Sequence, residues 1–145
     1  MTDDPGHTAV LISNRQPLPL DESGLAELAR TTLVAEGRLR CELSLSFVDE
    51  DEMGDLHRRF MGEEGPTDVL SFPMGDVDED GLSVLGDVVI APAVAARNNP
   101  DDPDAELRLL VVHGILHVLG YDHEEPDERA EMWRRQERYS GVTVP

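Results

Sequence analysis

Hydrophobic and polar positions repeat along this chain with two periods, and the switches between them mark out its elements. Over residues 41–49 the alternation is strict. Cys41, Leu43, Leu45 and Phe47 fall on one side and Glu42, Ser44 and Ser46 on the other, the two-residue period of a half-buried strand. Residues 8–14 form a shorter β-branched, apolar run that also reads as a strand. Pro17 and Pro19 break the chain before Asp21, after which Leu25, Leu28, Ala29, Thr32 and Leu33 recur at helical spacing as far as Gly37. Residues 50–61 predict a helix with Met53, Leu56 and Phe60 on its inner face, followed by a turn over 62–67.

A strand follows over 69–74, ended by Pro73 and Gly75. An acidic, hairpin-like loop over 76–81 then leads into a strand over 83–91. A short helical piece over 92–97 precedes the polar break 98–103. The most apolar helix spans 104–119, and a last helix spans 127–139 with Met132 and Trp133 packing it down. Strands and helices mix without strict βαβ alternation. The expectation is one compact α+β domain over 1–145, a small mixed sheet of about four strands covered by about five helices. The first seven residues read as a flexible leader.

Composition narrows this picture. At 145 residues, the chain has the length of one ordinary domain, and 39% hydrophobic with 4% aromatic content supplies an aliphatic core but little stacking surface. No apolar run approaches the roughly 20 residues of a membrane span, and no secretory signal pattern opens the chain, so no membrane partner is expected. The single cysteine, Cys41, allows no intramolecular disulfide, alternates inward as a core residue, and fits a reduced, cytoplasmic location. Twelve basic residues, all arginine, stand against 31 acidic ones, for a net charge of −19. Such a body repels nucleic acid at long range, DNA included, although salt confines that repulsion to a Debye length of roughly 8 Å.

Candidate chemistry concentrates in His113-Gly-Ile-Leu-His117-Val-Leu-Gly120-Tyr-Asp-His123. Four residues apart on a helix, His113 and His117 lie one turn along the same face, where two imidazoles can close on one metal ion. Gly120 falls where a left-handed residue would end the helix, and His123 can then reach the ion from the far side. Three nitrogens leave a fourth tetrahedral position for water, the catalytic rather than the closed structural arrangement. The spacing matches the metzincin zinc-protease motif, but the glutamate that follows the first histidine there is Gly114 here, so peptide hydrolysis would lack its base. His7 and His57 lack such company and read as surface residues.

Two segments carry a further resemblance, 113–123 and Gly65-Pro-Thr-Asp-Val-Leu-Ser-Phe-Pro73, with Leu85-Gly-Asp-Val-Val-Ile90 fitting between them. Over roughly residues 8 to 140 the chain resembles the YbeY-like bacterial endoribonucleases, also described as rRNA maturation factors. That resemblance implies one zinc ion held by His113, His117 and His123, and hydrolysis of single-stranded RNA. It further implies late processing of the 3′ end of small-subunit (16S) rRNA and ribosome quality control. The implied partners are rRNA, the small ribosomal subunit and its basic proteins. Many members carry an arginine shortly before the Pro-Thr-Asp stretch. That position is Met61 here, which leaves Arg59 or Arg58 as the nearby cation, unless both are a solvated helix face.

Asp68 either orients a ligand histidine or accepts a proton as a catalytic carboxylate, or else joins Thr67 in satisfying turn backbone groups. Asp122 has the same two readings beside His123. Ser71 is a further polar candidate. On the last helix Arg129, Arg134, Arg135 and Arg138 read as salt-bridged surface, with Glu131 four residues before Arg135, or as an RNA or ribosome contact. Two alternatives to a nuclease remain: a non-catalytic ribosome-assembly factor with a structural zinc, and a zinc hydrolase of another substrate class.

Overall fold

The computed structural model describes residues 7–77, 81–121 and 125–142. In chain order these form β1 (Thr8–Arg15), α1 (Glu22–Ala35), β2 (Cys41–Val48), α2 (Glu50–Met61), β3 (Val69–Val77), β4 (Ser83–Ile90), α3 (Pro92–Asn98), α4 (Pro103–Val118) and α5 (Pro126–Ser140). The helices start where the sequence places capping carboxylates. Asp21, Asp49 and Asp102 each accept a hydrogen bond from a first-turn N–H of α1, α2 and α4.

The four strands make one mixed sheet in the order β1-β2-β4-β3. β1, β2 and β4 run parallel, and β3 joins the edge antiparallel to β4. The expected α+β layer architecture holds, with one parallel β1-α1-β2 unit at its start. The inner sheet face buries Leu43, Leu45, Phe47, Val88 and Ile90 against α1 and α4, with Cys41 in the same core. The Cys41 thiol pKa is pushed up by burial, as suits an inert packing residue. The outer face buries Val48, Leu70 and Val89 around Met53 of α2. On its far side α4 packs Val112 and Leu116 against Met132 of α5. Apolar nearly all round, α4 is therefore the central helix. No helix among the described residues is long and apolar enough to cross a membrane.

Three expectations change. β3 does not stop at Pro73 but continues to Val77 through an irregularity between Pro73 and Asp76. A proline is tolerated there because β3 is an edge strand with a bulge, so no ladder hydrogen bond depends on its missing N–H. Phe60 is not an inner-face residue of α2: it is 58% exposed, in an edge-to-face contact with Phe72. Trp133 is 39% exposed, and Met132 alone of that pair packs α5 down. The leader reading concerns residues 1–7, of which 1–6 lie outside the described residues.

Four side chains bind α1 to the C-terminal half. Glu36, only 5% exposed at the end of α1, accepts hydrogen bonds from Tyr121 at 2.6 Å, from Arg135 at 2.5 Å and from Tyr139. Burial works to raise the Glu36 pKa, but the two phenols and the guanidinium outweigh it and hold the carboxyl below its ordinary value. A depressed folded pKa contributes stability that is present above the unfolded value, near 4.5, and is lost as pH falls through the folded one. Glu36→Gln is therefore expected to cost about 2 kcal/mol at pH 7, in the range for hydrogen bonds to a charged group. Its stability should also decline less steeply than the parent's below about pH 4.5. Urea unfolding of both proteins at pH 7 and in mild acid checks this; parallel pH profiles would refute it.

Candidate metal centre

α4 brings His113 and His117 together as their spacing demands. Their ring centroids are 4.6 Å apart with the planes at 72°. Both rings are half-buried and line an open depression of about 320 Å³. Its other walls are Met61 from the end of α2 and Val69, Leu70, Ser71 and Pro73 from β3. Among the described residues that line it there is no carboxylate.

The helix that carries the pair is fixed on both sides. His113 Nδ1 lies 2.7 Å from Gln136 Oε1 on α5, an acceptor, so Nδ1–H donates and the neutral ring keeps its lone pair on Nε2. The Trp133 ring stands edge-on to His113 at 6.2 Å, which is the contact this tryptophan makes in place of core packing. On the sheet side, Ser71 Oγ donates to the Gly114 carbonyl at 3.1 Å. A Cβ at Gly114 would come within 2.5 Å of Val88 Cγ1. Position 114 thus faces the sheet and is buried, so the zinc-protease glutamate has neither room nor the right direction here.

Gly120 ends α4 as its position in the sequence predicts. Its φ is +101°, its N–H bonds His117 O at 3.0 Å, and the Tyr121 N–H bonds Leu116 O at 2.9 Å. That pair of bonds is the Schellman closure, which turns the chain back over the helix end. Asp122 and His123 come next in sequence and lie outside the described residues. Among the described residues no group of three metal-ligating side chains gathers. The two imidazoles that are described suit a borderline ion such as zinc: neutral nitrogen donors, an orienting amide behind one of them, and open space in front.

The other candidates are placed elsewhere. Asp68 accepts from Asn98 Nδ2 at 3.2 Å, and its backbone carbonyl accepts from the Ala91 N–H at 3.0 Å. Its charge also acts on Glu106, whose pKa is raised by burial first and by Asp68 second. Glu106 precedes His113 by about two helical turns, some 10 Å along α4. The described hydrogen bonds therefore tie Asp68 to the two ends of α3, with its charge felt in the first turn of α4, and it does not line the depression. Arg58 and Arg59 both pair with Asp55, at 2.7 and 3.4 Å, on an exposed face, whereas Met61 does line the depression. Arg134 and Arg135 pair with Glu131, each at 2.6 Å, which is the salt-bridged reading of that helix.

His57 is not a surface residue. Its side chain is 13% exposed, with Nδ1 2.8 Å from Gly65 O and Nε2 3.0 Å from Glu63 Oε2, and it fastens the turn that leads into β3. Sequence reasoning also missed Gln136. The signal for it was a polar residue at helical spacing on the buried stripe Met132–Gln136–Ser140 of an otherwise charged helix.

Comparison with known proteins bears on this geometry. Residues 12–141 match the family model described as Endoribonuclease YbeY. The chain belongs to the YbeY endoribonuclease family. Endoribonuclease YbeY of Thermobifida fusca is 50% identical, over 86% of this chain and 87% of its own. That of Beutenbergia cavernae is 48% identical over 88% and 91%, and that of Frankia casuarinae 49% over 88% and 71%. The solution structure of TM1509 from Thermotoga maritima is similar at a TM-score of 0.60 and 32% identity, covering 90% of this chain and 86% of that one. The YbeY family is one of RNA-cleaving hydrolases, which gives the histidine depression its enzymatic context.

Gln136→Leu is expected to lower metal affinity about 10–100-fold, the usual effect of losing a group that orients a ligand histidine. Competition with a chromogenic chelator measures it. An unchanged affinity in a folded variant would show that Gln136 only fills space.

Proposed function

We propose that this protein is a zinc-dependent endoribonuclease that cuts single-stranded RNA late in 3′-end maturation of small-subunit (16S) rRNA and serves ribosome quality control. The observation that carries the reading is the His113–His117 pair, oriented by Gln136 and opening onto a depression with no described carboxylate, in a chain of the YbeY family. His113, His117 and His123 would hold the ion. Zinc at such a site supplies Lewis acidity toward water and phosphate oxygens. The chain's own contribution is positional. α4 fixes two imidazoles in one orientation, Gln136 selects the tautomer, and a Schellman turn at Gly120 and Tyr121 ends the helix one turn beyond His117.

Position 114 is ruled out as the source of a base by its burial against Val88. Asp122 is the candidate proton acceptor, and Arg59 is the candidate cation for phosphate. The local absence of described carboxylates answers the objection from net charge. None of the described residues that line the depression sets a like charge against a phosphate there, and the wider field is screened within roughly 8 Å. The partners on this reading are rRNA and the small subunit with its basic proteins, in the cytoplasm.

The net charge of −19 favours a second reading, a ribosome-assembly factor that attracts basic ribosomal proteins and uses its zinc structurally. Cleavage of labelled single-stranded RNA, with its duplex as control, separates the two. On the first reading, cleavage stops when a chelator strips the metal and returns when zinc is restored, with the fold intact throughout. Folding lost with the metal, and no cleavage at any loading, would favour the assembly factor.

A further inference from the structure

The outer face of the sheet carries a second concavity, on the side of β3 away from the histidines. α2 crosses one end of this face, and between helix and sheet opens a groove of about 410 Å³, within the range of small-ligand sites. Leu56 of α2 and Val89 of β4 line it together with the rings of Phe60 and Phe72, Ser46 of β2, and Arg15 and Glu52, which pair with each other at 2.7 Å. Those rings meet edge-to-face at 5.3 Å, and the Phe60 ring is the more exposed. Asp87 lies beside Phe72 in the β3–β4 register and reaches the same groove. Among the described residues its carboxylate makes no hydrogen bond and no ion pair. A slot with two aromatic walls, an Arg15–Glu52 ion pair in its lining and a half-buried Asp87 carboxylate that is unengaged among the described residues suits a flat ligand that carries N–H donors on its edge.

This groove and the histidine depression share their dividing wall. Ser71 and Pro73 line the depression, while Phe72 between them lines the groove. At the end of α2, Met61 lines the depression and Phe60 the groove. A single strand passing the histidines over the edge of β3 therefore reaches the groove with a neighbouring nucleotide. We propose that the groove is a nucleobase subsite, in which an unpaired guanine stacks on Phe60 and Phe72 and donates its N1–H and N2 amino group to the Asp87 carboxylate. The proposal rests on the reading of RNA as substrate.

Chemistry selects guanine among the four bases. A carboxylate only accepts, through two oxygens side by side, and guanine alone presents two adjacent donors on its Watson–Crick edge. Adenine and cytosine set a ring-nitrogen lone pair beside their amino group, and uracil flanks its N–H with carbonyls, all repelled by a carboxylate. A base is uncharged, so stacking holds it in this acidic body without a basic patch. The Arg59 guanidinium lies 5.7 Å from the centroid of the Phe60 ring, beside one aromatic wall of the groove.

The test is a titration of the full-length, isotope-labelled protein with GMP, IMP, AMP, CMP and UMP, followed by NMR. Cleavage of single-stranded RNAs with guanine moved stepwise past the cut is measured in parallel. GMP should shift the amides of Ser46, Phe72 and Asp87 saturably and bind more tightly than IMP, which lacks the N2 amino group. Asp87→Asn should remove the guanine preference. Phe60→Ala, at an exposed position that leaves the core intact, should weaken every base about tenfold, within the usual contribution of stacking. Equal response to all five nucleotides, or shifts confined to residues around His113, would overturn the subsite. GMP binding in the groove without RNA cleavage would uphold the subsite and sink the nuclease reading. Cleavage indifferent to guanine with a silent groove would do the reverse.

Discussion

His117→Ala is expected to abolish RNA cleavage and metal binding together while the protein stays folded. The imidazole opens onto the depression rather than the core, so truncation removes a nitrogen donor and little buried apolar surface. Loss of a donor from the proposed site should exceed the about 10–100-fold effect on affinity expected for its orienting neighbour. His113→Ala should lose the same function and some stability as well. It strips the buried Gln136 carbonyl of its donor, at a cost of about 1–3 kcal/mol. Metal content by mass spectrometry, cleavage of labelled RNA and circular dichroism, run on all three proteins, form the check. A metal-poor but fully active His117→Ala would remove the histidine pair from the mechanism.

Gly114→Glu is expected to unfold the domain rather than supply it with a base. A Cβ alone meets Val88 Cγ1 at 2.5 Å and Ser71 Oγ at 3.4 Å. Gly114→Ala sets an overpacking cost of about 1–3 kcal/mol against a gain in helix propensity of about 1 kcal/mol. It should therefore be mildly destabilising. Glutamate adds a carboxylate with no described donor in reach, and the sum approaches the roughly 5–15 kcal/mol that stabilises a whole domain. Thermal unfolding of the two variants gives the ranking. A cooperatively folded Gly114→Glu with parental stability would mean that α4 lies further from the sheet than described.

These two histidines also show what a sequence discloses. Their spacing, with Gly120 at the end of the helix, is local geometry, and local geometry survives translation from sequence to structure almost unchanged. The strand at Cys41 belongs to the same class. Gln136 does not, because its meaning depends on which residue of α4 faces α5, 23 positions away. Phe60 and Trp133 fail for a related reason. Periodicity says that a helix has an apolar side but not how far the neighbouring layer extends, and both lie past its edge. His57 drew no suspicion because its partners sit in the turn that the histidine itself fastens. Pro73 misled because a proline ends a strand only when both sides of that strand are hydrogen-bonded.

The seam between Gly114 and Val88 bears on timing. From Val111 to Val118, α4 is pressed between the sheet and α5, the setting in which backbone amides exchange with solvent only through global opening. His113 and His117 ride on that segment, so their mutual placement is set when the core forms, before any ligand arrives. Ordering entropy for these two side chains is then spent in folding. Affinity at this end of the molecule should track the protein's overall unfolding free energy hardly at all until the melting transition itself, where both vanish at once.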